Sequence, residues 1–91
     1  MIDELELLRA QIDAADKALI ASLAGRMDIV RQIGELKRTQ GIPVRDDARW
    51  KEVVSKAINE ARKQSLSETF IEEIFAAIHR AALDIENKND S

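Results

Sequence analysis

Apolar side chains recur at every third or fourth position in the first part of the chain, the spacing of one helical face. Between about residues 3 and 39 only Gly25 and Gly34 interrupt this pattern. Gly41 and Pro43 then indicate a turn, because glycine suits a helix C-cap and proline disfavours helix in the preceding residue. The pattern predicts one long helix with this apolar face: Leu5, Leu8, Ile12, Ala15, Leu19, Leu23, Met27, Val30 and Ile33.

Two shorter helices are predicted after this turn. The second helix begins with Asp46 or Asp47 as its N-cap and runs to about residue 63. The third spans about residues 68 to 87, with Ser67 as its N-cap. Their inward positions are Val53, Val54, Ala57, Ile58 and Ala61, then Phe70, Ile71, Ile74, Phe75, Ile78, Ala82 and Ile85. Without a repeat or a shift of composition, residues 1–91 are expected to form one all-α domain.

The unequal helix lengths predict an assembly. At 1.5 Å per residue the first helix is a rod of about 55 Å, and the two shorter helices can cover only part of it. A lone chain would leave much of the long apolar stripe in water. Since the commonest closed assembly is a two-fold dimer, we expect a homodimer in which two long helices pack antiparallel and the shorter helices complete the bundle.

Composition and charge exclude several classes of function. The chain has 34% charged residues and a net charge of -3, which argues against a broad nucleic-acid or acidic-membrane surface. It has no cysteine and one histidine, so neither a disulfide nor a metal cofactor is expected. The N-terminus lacks a signal-peptide pattern, and no apolar run reaches 18 residues. We expect a soluble, cytoplasmic protein that binds neither nucleic acid nor membrane.

Three cations of the first helix are candidate anion ligands. Arg26 and Lys37 are 11 residues apart, almost three turns, so they lie on one face about 16 Å apart. Their long side chains could lean together and leave room for a small anion. Arg9 is about 25 Å from Arg26 along the axis and about 100° around it, so one small ligand cannot touch all three cations of one chain, but an antiparallel second copy could supply Arg9. The alternative is that all three are solvated surface residues.

Four segments, LLRAQIDAADKALIASLAGRM, GELK, PVRDDARW and FIEEIFAAIHRAALDIE, occur in an order and spacing that closely resemble the all-helical class of chorismate mutase. The resemblance covers about residues 3 to 87. It implies an intertwined three-helix homodimer, with each site completed by an arginine of the other chain. The implied reaction is the pericyclic rearrangement of chorismate to prephenate in phenylalanine and tyrosine biosynthesis, without a cofactor. Association with another enzyme of the aromatic pathway is a further expectation from this resemblance.

The resemblance also implies a role for each matching residue. Arg26 and the Arg9 of a second copy would pair with the two substrate carboxylates, which a planar guanidinium binds through both oxygens. Lys37 would bind the ether oxygen that gains negative charge as its bond to carbon breaks. Arg49 would contact a carboxylate or support the wall of the second helix. Asp46 would contact the ring hydroxyl, chiefly through its backbone, or serve only as the helix cap.

Three positions differ from the commonest family pattern. Trp50 stands where many members have a Glu that binds the ring hydroxyl, and we expect it to pack. Ala82 replaces a frequent Ser that bonds a carboxylate. Glu86 replaces a frequent Gln on the same helical face, opposite the expected position of Lys37, and could donate to the ether oxygen only when protonated. The alternative for Glu86 is an exposed residue near a frayed end. His79 is expected to be structural and partly buried.

Two other functions remain open. The related isochorismate-pyruvate lyase uses the same scaffold, although PVRDDAR and the intact Lys37 favour the mutase. A non-catalytic regulatory or docking module is the second alternative, and Ala82 and Trp50 keep it open. The chain has all four cations that match the family pattern: Arg9, Arg26, Lys37 and Arg49. A helical dimer that catalyses no reaction has no need for all four, so their presence together favours an enzyme.

Overall fold

The computed structural model describes residues 3–88, which form three α-helices. No strand occurs in this part of the chain, and the predicted all-α fold is confirmed. Each helix begins and ends within one residue of its predicted bounds. The helices are α1 Glu4–Gln40, α2 Asp47–Lys63 and α3 Glu68–Lys88.

The long helix α1 is capped at both ends. The Asp3 side chain accepts a hydrogen bond from the Leu5 N–H at 3.4 Å, which satisfies one free donor of the first turn. At the other end Gly41 has a φ of 67° and donates its N–H to the Lys37 carbonyl. The Ile42 N–H reaches the same carbonyl at 2.8 Å. The left-handed conformation of Gly41 turns the chain sharply, and few other residues adopt it without strain.

Side-chain caps also start the two shorter helices. Asp46 Oδ1 accepts a hydrogen bond from the Arg49 N–H at 3.0 Å, so Asp46 is the N-cap of α2. Ser67 Oγ accepts from the Phe70 N–H at 3.2 Å and caps α3 as predicted. Arg62 and Glu68 bridge the corner between the two helices through an ion pair of 2.8 Å. These local contacts define where α2 and α3 begin and how the chain passes between them.

The third helix holds the other two together. It packs against both α1 and α2, whereas between residues 3 and 88 no Cα of α1 lies within 8 Å of one in α2. The residues buried in these contacts are few and mostly small: Val30, Gly34, Ala61, Ala82 and Glu86. The space between α1 and α2 is therefore left open, with α3 as its floor.

Much apolar surface of the single chain is uncovered. The chain measures 60 × 26 × 15 Å with a radius of gyration of 16.9 Å, against about 12 Å for a compact chain of its length. Phe70 is 51% exposed, so its predicted inward position is wrong for one chain, because no other described helix covers it. The predicted stripe of α1 is also exposed over much of its length. Large apolar residues about half exposed or more are Leu5, Leu7, Leu8, Ile12, Leu19, Ile20, Ile29 and Leu36.

None of the helices between residues 3 and 88 is long and apolar enough to cross a membrane.

Candidate active site

A cavity of about 450 Å³ lies between α1 and α2, with α3 as its floor. Its walls come from the second half of α1, the connection that follows, the first two turns of α2 and the C-terminal half of α3. The apolar lining consists of Ile29, Val30, Ile33, Val44, Val53, Ala82 and Leu83. The polar and aromatic lining consists of Arg26, Lys37, Asp46, Arg49, Trp50, His79 and Glu86. All the candidate site residues except Arg9 therefore meet at one cavity.

An ion pair between Lys37 and Glu86 lies at the cavity. Lys37 Nζ is 2.9 Å from Glu86 Oε1, and the two side chains are only 18% and 10% exposed. The same nitrogen donates a hydrogen bond of 2.7 Å to the Val44 carbonyl. The contact agrees with the predicted position of Glu86 opposite Lys37. The alternative of an exposed Glu86 is wrong, because α1 covers this face of α3.

The carboxylate of Glu86 is close to its cation but poorly aligned with it. Glu86 Oε1 is buried and makes no hydrogen bond of acceptable geometry, although Lys37 Nζ lies 2.9 Å away. The distance establishes the electrostatic contact, and the angles leave the hydrogen-bonding capacity of the oxygen unused. A buried carboxylate oxygen without a hydrogen bond can accept one from a donor on a ligand. When the carboxyl group is protonated, it can instead donate a hydrogen bond to an acceptor on the ligand.

Two arginines line the cavity from opposite sides. Arg26 is half-buried on α1 and faces the same space as Lys37, as the spacing of 11 residues predicts. Arg49 is exposed, and its guanidinium is 3.1 Å from Glu52 of the same helix. A hydrogen bond from Lys56 and, secondly, its positive charge hold the pKa of Glu52 below the ordinary value, with Arg49 adding to the effect. Arg49 therefore shares its acidic partner with another cation and can turn toward an anionic ligand.

Asp46 and Arg9 have different positions from the three central cations. Asp46 lines the cavity, but one carboxylate oxygen is engaged in the helix cap. Arg9 is exposed on α1 and lines neither this cavity nor the groove between α2 and α3. Its axial separation from Arg26 is about 25 Å. One chain alone does not bring Arg9 to the site.

A second cavity of about 450 Å³ adjoins the first between α2 and α3. The two share Arg26, Arg49 and Val53. The floor of the second cavity is apolar, and its rim carries Lys56 and Glu60. The apolar residues of this floor are Ala57, Ala61, Leu66, Ile71 and Phe75. The site is thus continuous with an open apolar groove of the single chain.

A stacked aromatic pair forms one wall of the cavity. The rings of Trp50 and His79 have centroids 3.9 Å apart and planes within 12° of parallel. Both residues are half-buried, as predicted for His79. The sequence did not predict that the two rings meet at the site. They are 29 positions apart on different helices, and only the packing of α2 on α3 brings them together.

The family that matches this chain is chorismate mutase type II, over residues 8–87. The chain belongs to the chorismate mutase type II family. It is 33% identical over 87 residues to the T-protein of Enterobacter agglomerans, covering 96% of this chain and 23% of that protein. It is 31% identical to the 4-amino-4-deoxychorismate mutase of Streptomyces pristinaespiralis, covering 94% and 67%. The chorismate mutase of Methanocaldococcus jannaschii is 27% identical and covers 98% of each chain.

The chain spans about a quarter of the length of the T-proteins that it matches. The 98% coverage of the M. jannaschii chorismate mutase shows that a family member can have nearly this length. In both comparisons the aligned part includes nearly all of the three helices and the cavity between them.

The chemistry of this chorismate mutase family site is that of an anion receptor. Its lining has three permanent cations and two carboxylates, and among residues 3–88 no lining side chain carries a hydroxyl or thiol. Within the same range no cluster of three or more His, Cys, Asp or Glu could hold a metal ion. The arrangement can orient a multiply charged anion and stabilise charge that develops on it.

Proposed function

We propose that the chain catalyses the rearrangement of chorismate to prephenate. The observation that carries the proposal is the largely buried Lys37–Glu86 pair, which lies at a cavity flanked by Arg26 and Arg49. A one-step pericyclic rearrangement requires neither a nucleophile nor an obligatory proton transfer. It is accelerated by holding the substrate in a reactive conformation and by stabilising its developing charge.

The polar residues of the cavity contact different parts of the substrate in the proposed reaction. Arg26 binds one carboxylate of the substrate, and Arg49 contacts the same group from α2. Lys37 lies at the ether oxygen, where negative charge grows as the carbon–oxygen bond breaks, so its interaction is stronger in the transition state than in the ground state. Glu86 bonds the same oxygen when its carboxyl group is protonated. Asp46 holds the start of α2 and offers its backbone to the ring hydroxyl.

The remaining carboxylate of the substrate requires a further cation. We propose that the active form is a homodimer in which Arg9 of a second copy enters each site. The exposed apolar stripe of α1 and the open groove between α2 and α3 support this assembly, because each would otherwise remain in water. The elongated shape of the single chain supports it as well.

Purified protein is expected to have a mass twice the 10.2 kDa of one chain, measured by sedimentation equilibrium. Ile12→Asp should raise the dimer dissociation constant by about tenfold or more, because it removes a large apolar side chain from the proposed interface and adds a charge there. Ala14→Asp is the matched control, since it adds the same charge on nearly the opposite side of α1. Equal dissociation constants for the two variants would exclude the α1 stripe from the interface.

The function is tested by incubating the purified protein with chorismate and, separately, with isochorismate. Prephenate from chorismate supports the proposal. Salicylate and pyruvate from isochorismate would instead assign the chain to the lyase. Inertness toward both compounds, by a protein that is folded by circular dichroism, would favour a regulatory or docking module.

A second candidate substrate follows from one group of relatives. Two Streptomyces proteins named 4-amino-4-deoxychorismate mutase are 31% and 30% identical to this chain. Their named substrate carries an amino group at the ring carbon numbered 4. Trp50 cannot accept a hydrogen bond from either an amino group or a hydroxyl, because its indole is a donor only. Comparing kcat/KM for chorismate and for its 4-amino analogue decides between the two substrates.

Activity is expected to fall as the pH rises if Glu86 donates to the ether oxygen, because only the protonated carboxyl group is a donor. Loss of one required proton limits the fall in kcat to about tenfold per pH unit. Glu86→Gln should flatten the profile, since an amide donates at every ordinary pH. Glu73→Gln, at an exposed position of the same helix, should leave the profile unchanged. If parent and Glu86→Gln gave the same curve, Glu86 would not be the donor.

A further inference from the structure

At the cavity, the floor helix α3 contacts one wall through an ion pair and the other through an aromatic stack. Its Glu86 pairs with Lys37 of α1, and its His79 stacks on Trp50 of α2. The two α3 residues are seven positions apart, so they lie on the same face two turns from each other. Because α1 and α2 make no close backbone contact within the described residues, α3 sets the distance between the two walls.

The stack holds the turn of α2 that carries the ligand-binding groups. The Trp50 N–H bonds the Asp46 carbonyl at 3.0 Å, and Arg49 directly precedes Trp50 in the same turn. The ion pair of Arg49 is with Glu52 of its own helix, so it does not tie α2 to either neighbour. The connection before α2 is fixed by the Lys37 bond to the Val44 carbonyl. None of these three contacts joins the first turn of α2 to α3.

We propose that His79 is a positioning residue: by stacking on Trp50 it fixes the distance between Arg49 and the Lys37–Glu86 pair, and with it the binding of substrate. The inference rests on the proposed function. In this role His79 and Trp50 hold α2 in position against α3 and take no part in the reaction itself. Aromatic stacking suits this role because the contact has a preferred separation and a preferred ring geometry.

The expected signature is a change in KM rather than in kcat. The carboxylate that Arg49 contacts keeps its charge throughout the reaction, so the interaction is similar in the ground and transition states and its loss affects binding. His79→Ala is expected to raise the KM for chorismate by about 3- to 10-fold and to change kcat by less than about twofold. His79→Phe retains the stack and should keep KM within about twofold of the parent.

The ring contact can be verified separately from activity. The chain contains one tryptophan and one histidine, so the resonances of each ring are identified in NMR spectra without ambiguity. The ring current of the Trp50 indole should shift the resonances of the His79 ring protons upfield, and Trp50→Leu should abolish this shift. The measurement establishes whether the stack exists in solution before any kinetic variant is interpreted.

Ile58→Ala is the matched control for general loosening of α2, because Ile58 is half-buried on α2 and lines neither the cavity nor the adjoining groove. It should lower the melting temperature with KM unchanged. An unchanged KM in His79→Ala, or a KM in His79→Phe as high as in His79→Ala, would overturn the positioning role while the function stands. Absence of the ring shift would overturn it too. A parent protein inert toward chorismate would overturn the proposed function and this inference together.

Discussion

Replacing Lys37 with alanine is expected to lower kcat for chorismate by about 10²- to 10³-fold, the usual effect of removing one donor from a developing oxyanion. KM should change less, because the carboxylate ligands remain. The charge that Lys37 stabilises is small in the ground state and grows in the transition state, so its loss is seen mainly in kcat. The rate of prephenate formation at saturating chorismate measures the effect.

The same substitution also leaves Glu86 buried without its cation, so a loss of folded protein must be separated from a loss of catalysis. Glu86→Gln added to Lys37→Ala removes the uncompensated charge and should restore the melting temperature without restoring kcat. Lys63→Ala, which removes an exposed lysine of α2, should match the parent in both measurements. A well-folded Lys37→Ala protein with the kcat of the parent would rule out the assigned role of Lys37.

Arg9→Ala and Arg26→Ala are each expected to lower kcat/KM by at least about 30-fold, because each leaves one substrate carboxylate without its guanidinium. A mixture of the two inactive variants, denatured and refolded together, should regain activity. In the mixed dimer one site has the intact Arg26 of one chain and the intact Arg9 of the other, while the second site lacks both. Activity is measured as prephenate formation per total chain.

Random pairing makes the expected recovery quantitative. About half of the refolded dimers are mixed, and each has one intact site out of two, so the mixture should show about a quarter of the parent activity. Refolding each variant alone is the control and should give no recovery. If the mixture showed only the mean activity of its two components, Arg9 would not act across an interface. The experiment thereby tests the dimer and the residue assignment together.

Local features of the sequence were sufficient to predict the helices. Their bounds follow from apolar periodicity and from side-chain caps such as Asp46 and Ser67, which depend on residues close together in the chain. The alignment of Arg26 with Lys37 likewise follows from helical geometry alone. The position of Glu86 opposite Lys37 needed the family resemblance as well, because it depends on how α3 packs on α1.

Contacts between helices were predicted less well. The Trp50–His79 stack depends on the register of α2 against α3, which helical periodicity leaves undetermined. Phe70 was expected to face inward, but it is exposed in one chain. A periodic pattern identifies an apolar face without identifying what covers it, and for this chain the proposed cover is a second copy.

The contact between Lys37 and the Val44 carbonyl also constrains how the connection between α1 and α2 can evolve. The acceptor is a main-chain oxygen, so the side chain at position 44 can change while the bond persists. An inserted or deleted residue between positions 41 and 46 would move that oxygen away from the ammonium group. Natural variants of this connection should therefore differ freely in residue identity and very little in length.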